Sequence, residues 1–272
     1  MKHEEYERMY RFEDRYWWFV ARRHLITTLL ETYYPRTGQL RILDIGCGTG
    51  AMLDELKPFG DVIGADFSPE ALQFCVTRGA PADLARADVR RLPFADSSFD
   101  VVTAMDIIEH IDDDKAASSE IFRVLKPGGR LLVTVPAFSS LWSEHDVALH
   151  HFRRYTTPHL KDVFQRVGLH VDKLSYTVTT LFAPIWVYRQ ISNLFSRKLF
   201  SRGQAGGEKK ANLVNFSGPV NQALLSLSQW ETRLVRSWNL PFGVSVVCAA
   251  HKPETAAPKP GLAESTQKAS AV

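Results

Sequence analysis

Apolar runs alternate with helical stretches from Arg41 to Pro136. RILDIGC, starting at Arg41, reads as a buried strand that runs into glycines. GDVIGADF is a second strand, LARAD a short third, FDVVTAMD a fourth and GRLLVTVP a fifth. The stretches Gly50–Lys57, Pro69–Arg78 and Asp113–Leu125 read as helices. Ser68 and Pro69 suit an N-cap and a first-turn proline, and KPGGR at 126–130 reads as a helix stop and turn. Strands alternating with helices predict a parallel sheet covered on both faces.

The pattern changes after Pro136. Residues 137–156 read as a polar and aromatic loop, Thr157–Val167 as a helix, GLHVDKLSYTV as a sixth strand and GVSVVCAAHK (243–252) as a seventh. Residues 1–35 read as two helical pieces rich in aromatics: Tyr6, Tyr10, Phe12, Tyr16, Trp17, Trp18 and Phe19. These aromatics either pack a helix on the sheet or form a lid over a ligand, and Arg22 and Arg23 beside them suit a solvated face. The tail from Pro253 is rich in Ala, Pro, Ser and Lys, a composition that predicts disorder. No internal repeat is visible.

Between strands six and seven lies a helical insertion at about 180–240. One stripe runs through Ile185, Tyr188, Ile191, Leu194, Phe195 and Leu199, with Arg189, Asn193 and Arg197 on the other face. A second runs through Val220, Ala223, Leu224, Leu227, Trp230, Leu234 and Trp238. From Ile185 to Trp238 the bases are Arg189, Arg197, Lys198, Arg202, Lys209, Lys210, Arg233 and Arg236, against the acids Glu208 and Glu231. Basic amphipathic helices with tryptophans predict a membrane interface or a lipidic acceptor. Packing on each other, on the core or in a dimer is the alternative. Residues 202–211 predict a flexible loop.

Composition narrows the classes. The chain has 272 residues, 45% hydrophobic and 23% charged, which is ordinary for a folded globular protein. With 33 basic and 30 acidic residues the net charge is +3, too balanced to argue for nucleic acid. Three cysteines (Cys47, Cys75, Cys248) make no disulfide framework and favour a reducing compartment. The mixed acids and bases of the N-terminus do not form a secretory signal. The longest apolar-leaning run, Val178 to Tyr188, contains Pro184 and falls well short of the roughly 20 residues a transmembrane helix needs. These features predict a cytoplasmic protein, free or peripheral on the inner membrane face.

LDIGCGTG (43–50) carries the sharpest chemistry. Gly46, Gly48 and Gly50 allow a tight turn and close approach of a ligand to the backbone. Asp66, about 20 residues further on, ends the second strand and suits the hydroxyls of a ribose. The loop is one residue shorter than the dinucleotide pattern and is preceded by Asp44, which suits an ammonium or sulfonium better than a diphosphate. LDIGCGTG, GADFSPEAL (64–72), ADVRRLPFADSSFDVV (87–102), AMDIIEHI (104–111) and LKPGGRLLVTVP (125–136) together resemble class I S-adenosylmethionine-dependent methyltransferases, nearest the ubiquinone- and menaquinone-pathway branch. The resemblance implies a Rossmann-like α/β fold with a seven-stranded sheet, order 3-2-1-4-5-7-6. It also implies that Asp44, Gly46, Cys47, Gly48 and Gly50 hold the amino-acid part of the cofactor. Asp66 and Phe67 would then bind ribose and adenine, Asp88 and Val89 the adenine edge, and Met105 the region of the sulfur. The division expected is 1–35 as a lid, 36–252 as the methyltransferase domain and 253–272 as a tail.

Two clusters are candidates for the chemistry. Asp106, Glu109 and His110 share one face of a helical turn; some related O-methyltransferases bind a divalent cation with such an acid-x-x-Glu-His arrangement. Capping and packing of the next helix is preferred, so no metal is expected. SLWSEHDVALHHFRRYT (140–156) lies at the carboxyl edge where such sheets bind ligands. His145 or His151 is the candidate base, with Trp18, Asp146, Arg153, Arg154 and Tyr155 as substrate residues. The "WWF-x-x-RR" N-terminus and this loop are similar to a bacterial subset of these methyltransferases. The expectation is methyl transfer to a small, hydrophobic or lipid-linked acceptor, on oxygen. A nicotinamide (NAD)-dependent oxidoreductase and a cofactor-binding regulator or membrane scaffold are the rivals. The oligomeric state is not legible.

Overall fold

The computed structural model describes residues 3–200 and 216–254. Its seven strands are β1 (Leu40–Ile45), β2 (Gly60–Asp66), β3 (Asp83–Arg86), β4 (Phe99–Met105), β5 (Leu125–Pro136), β6 (His170–Thr177) and β7 (Ser245–His251). They form one sheet in the order β3-β2-β1-β4-β5-β7-β6, as expected. β1 to β5 run parallel, while β7 is antiparallel and lies between β5 and β6. KPGGR is a bulge within β5 rather than a turn before it. Leu125 pairs with Phe99, Arg130 pairs with Val101, and Gly128 takes φ +76° to loop out the residues between.

The helices described are α1 (His3–Phe12), α2 (Trp17–Tyr33), α3 (Ala51–Leu56), α4 (Pro69–Arg78), α5 (Asp114–Val124), α6 (Glu144–Ala148), α7 (Thr157–Arg166), α8 (Phe182–Phe200) and α9 (Gly218–Ser237). α4 starts as the sequence predicts, with the Ser68 hydroxyl accepting from the N–H of Ala71 and proline in the first turn. One face of the sheet is closed by α5 and α7 through Ile121, Val124, Leu160 and Phe164. The other is closed by α2, α3 and α9 through Ile26, Leu30, Leu53 and Val235. The stretch 137–156 is more ordered than a loop. It holds a 3-10 turn at Ser139–Leu141 and then α6, whose Ser143 and Asp146 form a reciprocal capping box.

The insertion departs from its predicted stripes. α9 packs along α2, where Asn221 accepts from the Trp17 N–H at 2.9 Å and donates to the Arg15 carbonyl at 2.9 Å. Its buried line is Glu231, Thr232 and Val235, while the stripe residues Val220, Trp230 and Trp238 are exposed. Glu231 is buried because it serves a chain turn. Its carboxylate accepts from the N–H groups of Val178 and Thr180. The loop expected at 202–211 and the tail from 255 lie outside the described residues.

Candidate active site

The strand-to-helix turn after β1 needs glycine for two reasons. Gly46 and Gly48 have φ +69° and +56°, where side chains are disfavoured. A Cβ on Gly46 would stand 2.7 Å from Ile107, and one on Gly48 2.7 Å from Met9 Cε. The turn is tied to β2, since Gly46 N donates to Ala65 O at 2.7 Å and Gly48 N to Asp66 Oδ2 at 3.0 Å. The other Asp66 oxygen accepts from Ser68 N at 2.9 Å. Burial raises the Asp66 carboxyl above its usual range, against the pull of these N–H groups. Beneath the turn Asp44 is almost fully buried. Thr103 donates to its Oδ1 at 2.6 Å and its Oδ2 has no partner.

Above this turn opens a cavity of about 860 Å³ at the carboxyl ends of β1, β2, β4 and β5. One half is lined by Gly46, Cys47, Gly48, Asp66, Phe67, Asp88, Val89 and Met105. α1 presents Tyr6 and Met9 to the cavity, and Glu13 follows just beyond it. The segment after α1 is fastened to the glycine turn. Glu13 accepts from the Thr49 hydroxyl, and Arg78 binds Glu13, Asp14 (2.9 Å) and the Thr49 carbonyl (2.9 Å).

The other half is built from α2, the turn after β4 and α6. It is lined by Trp18, Arg22, Glu109, His110, His145, His151, Arg154, Arg189 and Ser245. Asp146 is the hub beneath this wall. It is fully buried and accepts from Arg154 at 2.7 and 3.0 Å, from His151 Nδ1 at 2.9 Å and from Ser143 N at 2.9 Å. Despite burial these partners hold its carboxyl well below the usual range, so it is ionised. An ionised Asp146 makes His151 Nδ1 the donor. Burial lowers His110 to about 3 and His145 to about 4, the nearby His151 and Arg189 respectively adding to the effect. Both rings are therefore neutral at physiological pH.

Asp106 is engaged elsewhere. Arg22 binds its carboxylate and also donates to Ser245 Oγ at 2.9 Å, with the guanidinium 4.8 Å from the Trp18 ring. Arg22 is thus a buried wall residue, not the solvated face its sequence context suggests. Glu109 is fully buried, and neither carboxylate oxygen has a partner. Burial, and then the charge of Asp106, push its carboxyl well up. The donors that do converge are Glu109, His110 and His151, all within 4.8 Å of one another. Asp106, the first residue of the sequence-derived metal trio, is not among them.

Comparison with known proteins assigns the fold. A family profile described as "Methyltransferase domain" matches residues 43–133, which hold the second half of β1, β2 to β4, most of β5 and the whole glycine turn. Residues 43–133 therefore carry the signature of a methyltransferase domain. A relative in Mycolicibacterium smegmatis, named as an S-adenosylmethionine-dependent methyltransferase, is 30% identical over 59% of this chain and 62% of its own length. The demethylmenaquinone methyltransferase of Thermus thermophilus is 42% identical over 34% of this chain and 46% of its own length. The chain therefore spans about half the length of the curated relatives it matches. The methyltransferase partner of the Trm112 activator from Haloferax volcanii superposes with a TM-score of 0.58 at 21% identity, covering 92% of this chain and 94% of that one. At that identity the likeness is one of fold.

Within the methyltransferase domain the sequence-derived residues divide. Gly46, Cys47, Gly48, Asp66, Phe67, Asp88, Val89 and Met105 line one half of the cavity, and Trp18, His145, His151 and Arg154 the other. Asp44 and Gly50 lie behind the turn, off the cavity wall. Three substrate candidates are not on the wall. Tyr155 is fully buried in the core with its hydroxyl on Asp114 at 3.0 Å. Arg153 is spent on the same Asp114 at 2.6 Å. Asp146 sits behind His151 and Arg154. Trp17 packs in the core while Trp18 faces the cavity, so the aromatic pair serves both expected roles. Met9, Glu13, Arg78 and Arg189 were not legible as site residues, because each arrives from a helix with no local motif.

Proposed function

We propose that this protein transfers a methyl group from S-adenosylmethionine to an oxygen of a small apolar or lipid-linked acceptor, with His151 as general base. The observation that carries the reading is the buried Arg154–Asp146–His151 chain, which ends on a basic nitrogen at the cavity wall opposite the glycine turn. The residues present fit the cofactor: a glycine cradle that a Cβ would fill and a buried Asp44 oxygen without a partner. The Gly46–Gly48 backbone, with Asp44 behind it, would hold its amino-acid end, Asp66 the ribose, Phe67, Asp88 and Val89 the adenine, and Met105 the sulfur side. When bound, the cofactor supplies an electrophilic methyl on a sulfonium with a good leaving group.

The protein's own part is positioning and proton removal. His151 Nε2 would take the acceptor's hydroxyl proton as the methyl is transferred. Asp146 fixes the tautomer and stabilises the imidazolium, and Arg154 keeps Asp146 ionised. Neutral His110 and His145 surround the base without adding charge. α1 and α2 act as a lid: Tyr6, Met9 and Trp18 exclude water from the methyl's path. No metal is assigned, and the protein is read as cytoplasmic. Demethylmenaquinone methyltransferase among the relatives is consistent with an apolar acceptor.

The test is transfer of label from methyl-labelled S-adenosylmethionine into a detergent-solubilised bacterial lipid extract. The expected product is base-stable labelled ether in the organic phase, abolished by Gly48→Val and strongly reduced by His151→Asn. Label confined to water-soluble products would refute the apolar acceptor. Full transfer by His151→Asn would refute the base.

A further inference from the structure

α8 is attached to the domain by its polar side. Gln190 Nε2 donates to the Ser140 carbonyl at 2.8 Å, Asn193 Nδ2 to the Trp142 carbonyl at 2.8 Å, and Arg189 to the Leu141 carbonyl. The opposite side is apolar and uncovered: Val187, Tyr188, Ile191 and Leu194 are 47%, 57%, 48% and 59% exposed. At 100° per residue these four and Pro184 fall on one stripe, with Arg189 and Asn193 about half a turn away. A helix on a water-soluble fold has the reverse arrangement. Here the sequence spends its hydrogen-bonding side chains inward and leaves its apolar ones outside.

Further aromatics flank the helix, off this stripe. Phe182, at the start of α8, meets Phe242 with ring centroids 5.5 Å apart. Phe242 is itself exposed, as are Trp186 on α8 and Trp238 just beyond α9. Tryptophan and tyrosine carry an apolar body with a polar tip, the composition of a membrane–water boundary.

Charge chooses the occupant. Among the described residues of α8 and α9 the exposed charged side chains are Arg233 and Arg236; the one carboxylate, Glu231, is buried. A second copy would bring the same sign against itself. A layer of anionic headgroups over acyl chains satisfies both the apolar stripe and the cations. No described helix is long and apolar enough to cross a membrane, so contact would be in the plane of the surface. We infer that the outer face of α8 docks the protein on an anionic lipid surface. The inference deepens the proposed function, because Arg189 on the inner side of the same helix lines the cavity, so an acceptor would enter from the lipid side.

The test is co-sedimentation of the full chain with vesicles of phosphatidylcholine alone and with phosphatidylglycerol added. The expected result is binding to the anionic vesicles that weakens with salt and falls about tenfold or more in the double variant Tyr188→Ser/Ile191→Ser. Both positions are exposed and make no described side-chain hydrogen bond, and unfolding curves check that the variant folds. Absence of binding to anionic vesicles, or binding unchanged in the double variant, overturns the inference. So does a dimer seen by light scattering that the double variant dissolves while wild type ignores vesicles. Transfer into the detergent-solubilised extract separates the two readings. If it persists without vesicle binding, docking fails and the function stands; if it is lost while vesicles bind, the function fails.

Discussion

Replacing Asp44 by asparagine should make the cofactor-free protein less stable in acid and more stable at high pH. Burial raises the Asp44 carboxyl from 3.8 to about 7, with the Thr103 hydrogen bond opposing and the Asp66 charge adding. A difference of that size is worth about 4 kcal/mol between the two protonation states. The folded value lies above the unfolded one, so the folded state favours the proton. Below about pH 4 both states are protonated and Asp44 costs nothing; stability falls from there to about pH 7, and above it the full cost stands. Asparagine keeps an acceptor for Thr103 but puts an amide where Oδ2 has no partner, costing about 1–3 kcal/mol at every pH. The variant minus wild-type difference should therefore move by about 3 kcal/mol toward the variant between pH 5 and pH 8. Other buried acids such as Glu109 titrate in both proteins and largely cancel. Urea unfolding of both proteins at the two pH values measures it. A difference that does not depend on pH would refute the idea that Asp44 is a strained, buried acid. In the bound state the same change should weaken S-adenosylmethionine about tenfold, through loss of the negative charge behind the glycine turn.

Gly48→Val should abolish cofactor binding in calorimetry, since φ +56° strains a β-branched residue and its side chain would displace Met9 within the cavity; retained affinity would move the cofactor elsewhere. Asp146→Asn should lower kcat about a hundredfold with little change in cofactor affinity, because His151 loses the partner that fixes its tautomer; equal losses in both would mean a structural role. Zinc should inhibit transfer by bridging Glu109, His110 and His151, and a chelator should reverse it without harming the metal-free enzyme; activation by zinc would turn the cluster into a metal centre. Arg78→Ala should speed proteolysis within residues 1–16 and shorten cofactor residence, since Arg78 ties Glu13 and Asp14 to the glycine turn; unchanged rates would remove α1 from the gate.

Legibility followed the range of the interactions. The sheet order and the glycine turn could be read because each rests on a few adjacent residues: the apolar run of β1, the glycines after it, the acid at the end of β2. The acceptor side was read in part. The 140–156 segment was placed at the right edge, but Arg153 and Arg154 differ only in which way a strand-like stretch turns them. Arg154 goes inward to Asp146 and Arg153 outward to Asp114. Tyr155 went to the core for the same reason. In α8 the periodicity was correct, but the pattern reports that a helix has two faces and not which one meets the protein; here the polar side does. The buried line of α9 was hidden by its polar residues Glu231 and Thr232, whose burial depends on backbone groups far away in the chain.

The antiparallel strand has a consequence for how the protein is made. Among the described strands β6 pairs only with β7, and β7 is the last of them in sequence yet sits inside the sheet. Until residues 245–251 leave the ribosome, β5 has an open edge and β6 has no neighbour. Ser245, which steadies Arg22 at the cavity, arrives with the same strand. β1 to β5 can pair as they emerge, but the acceptor wall closes only when the final strand slots between two that have been waiting for it.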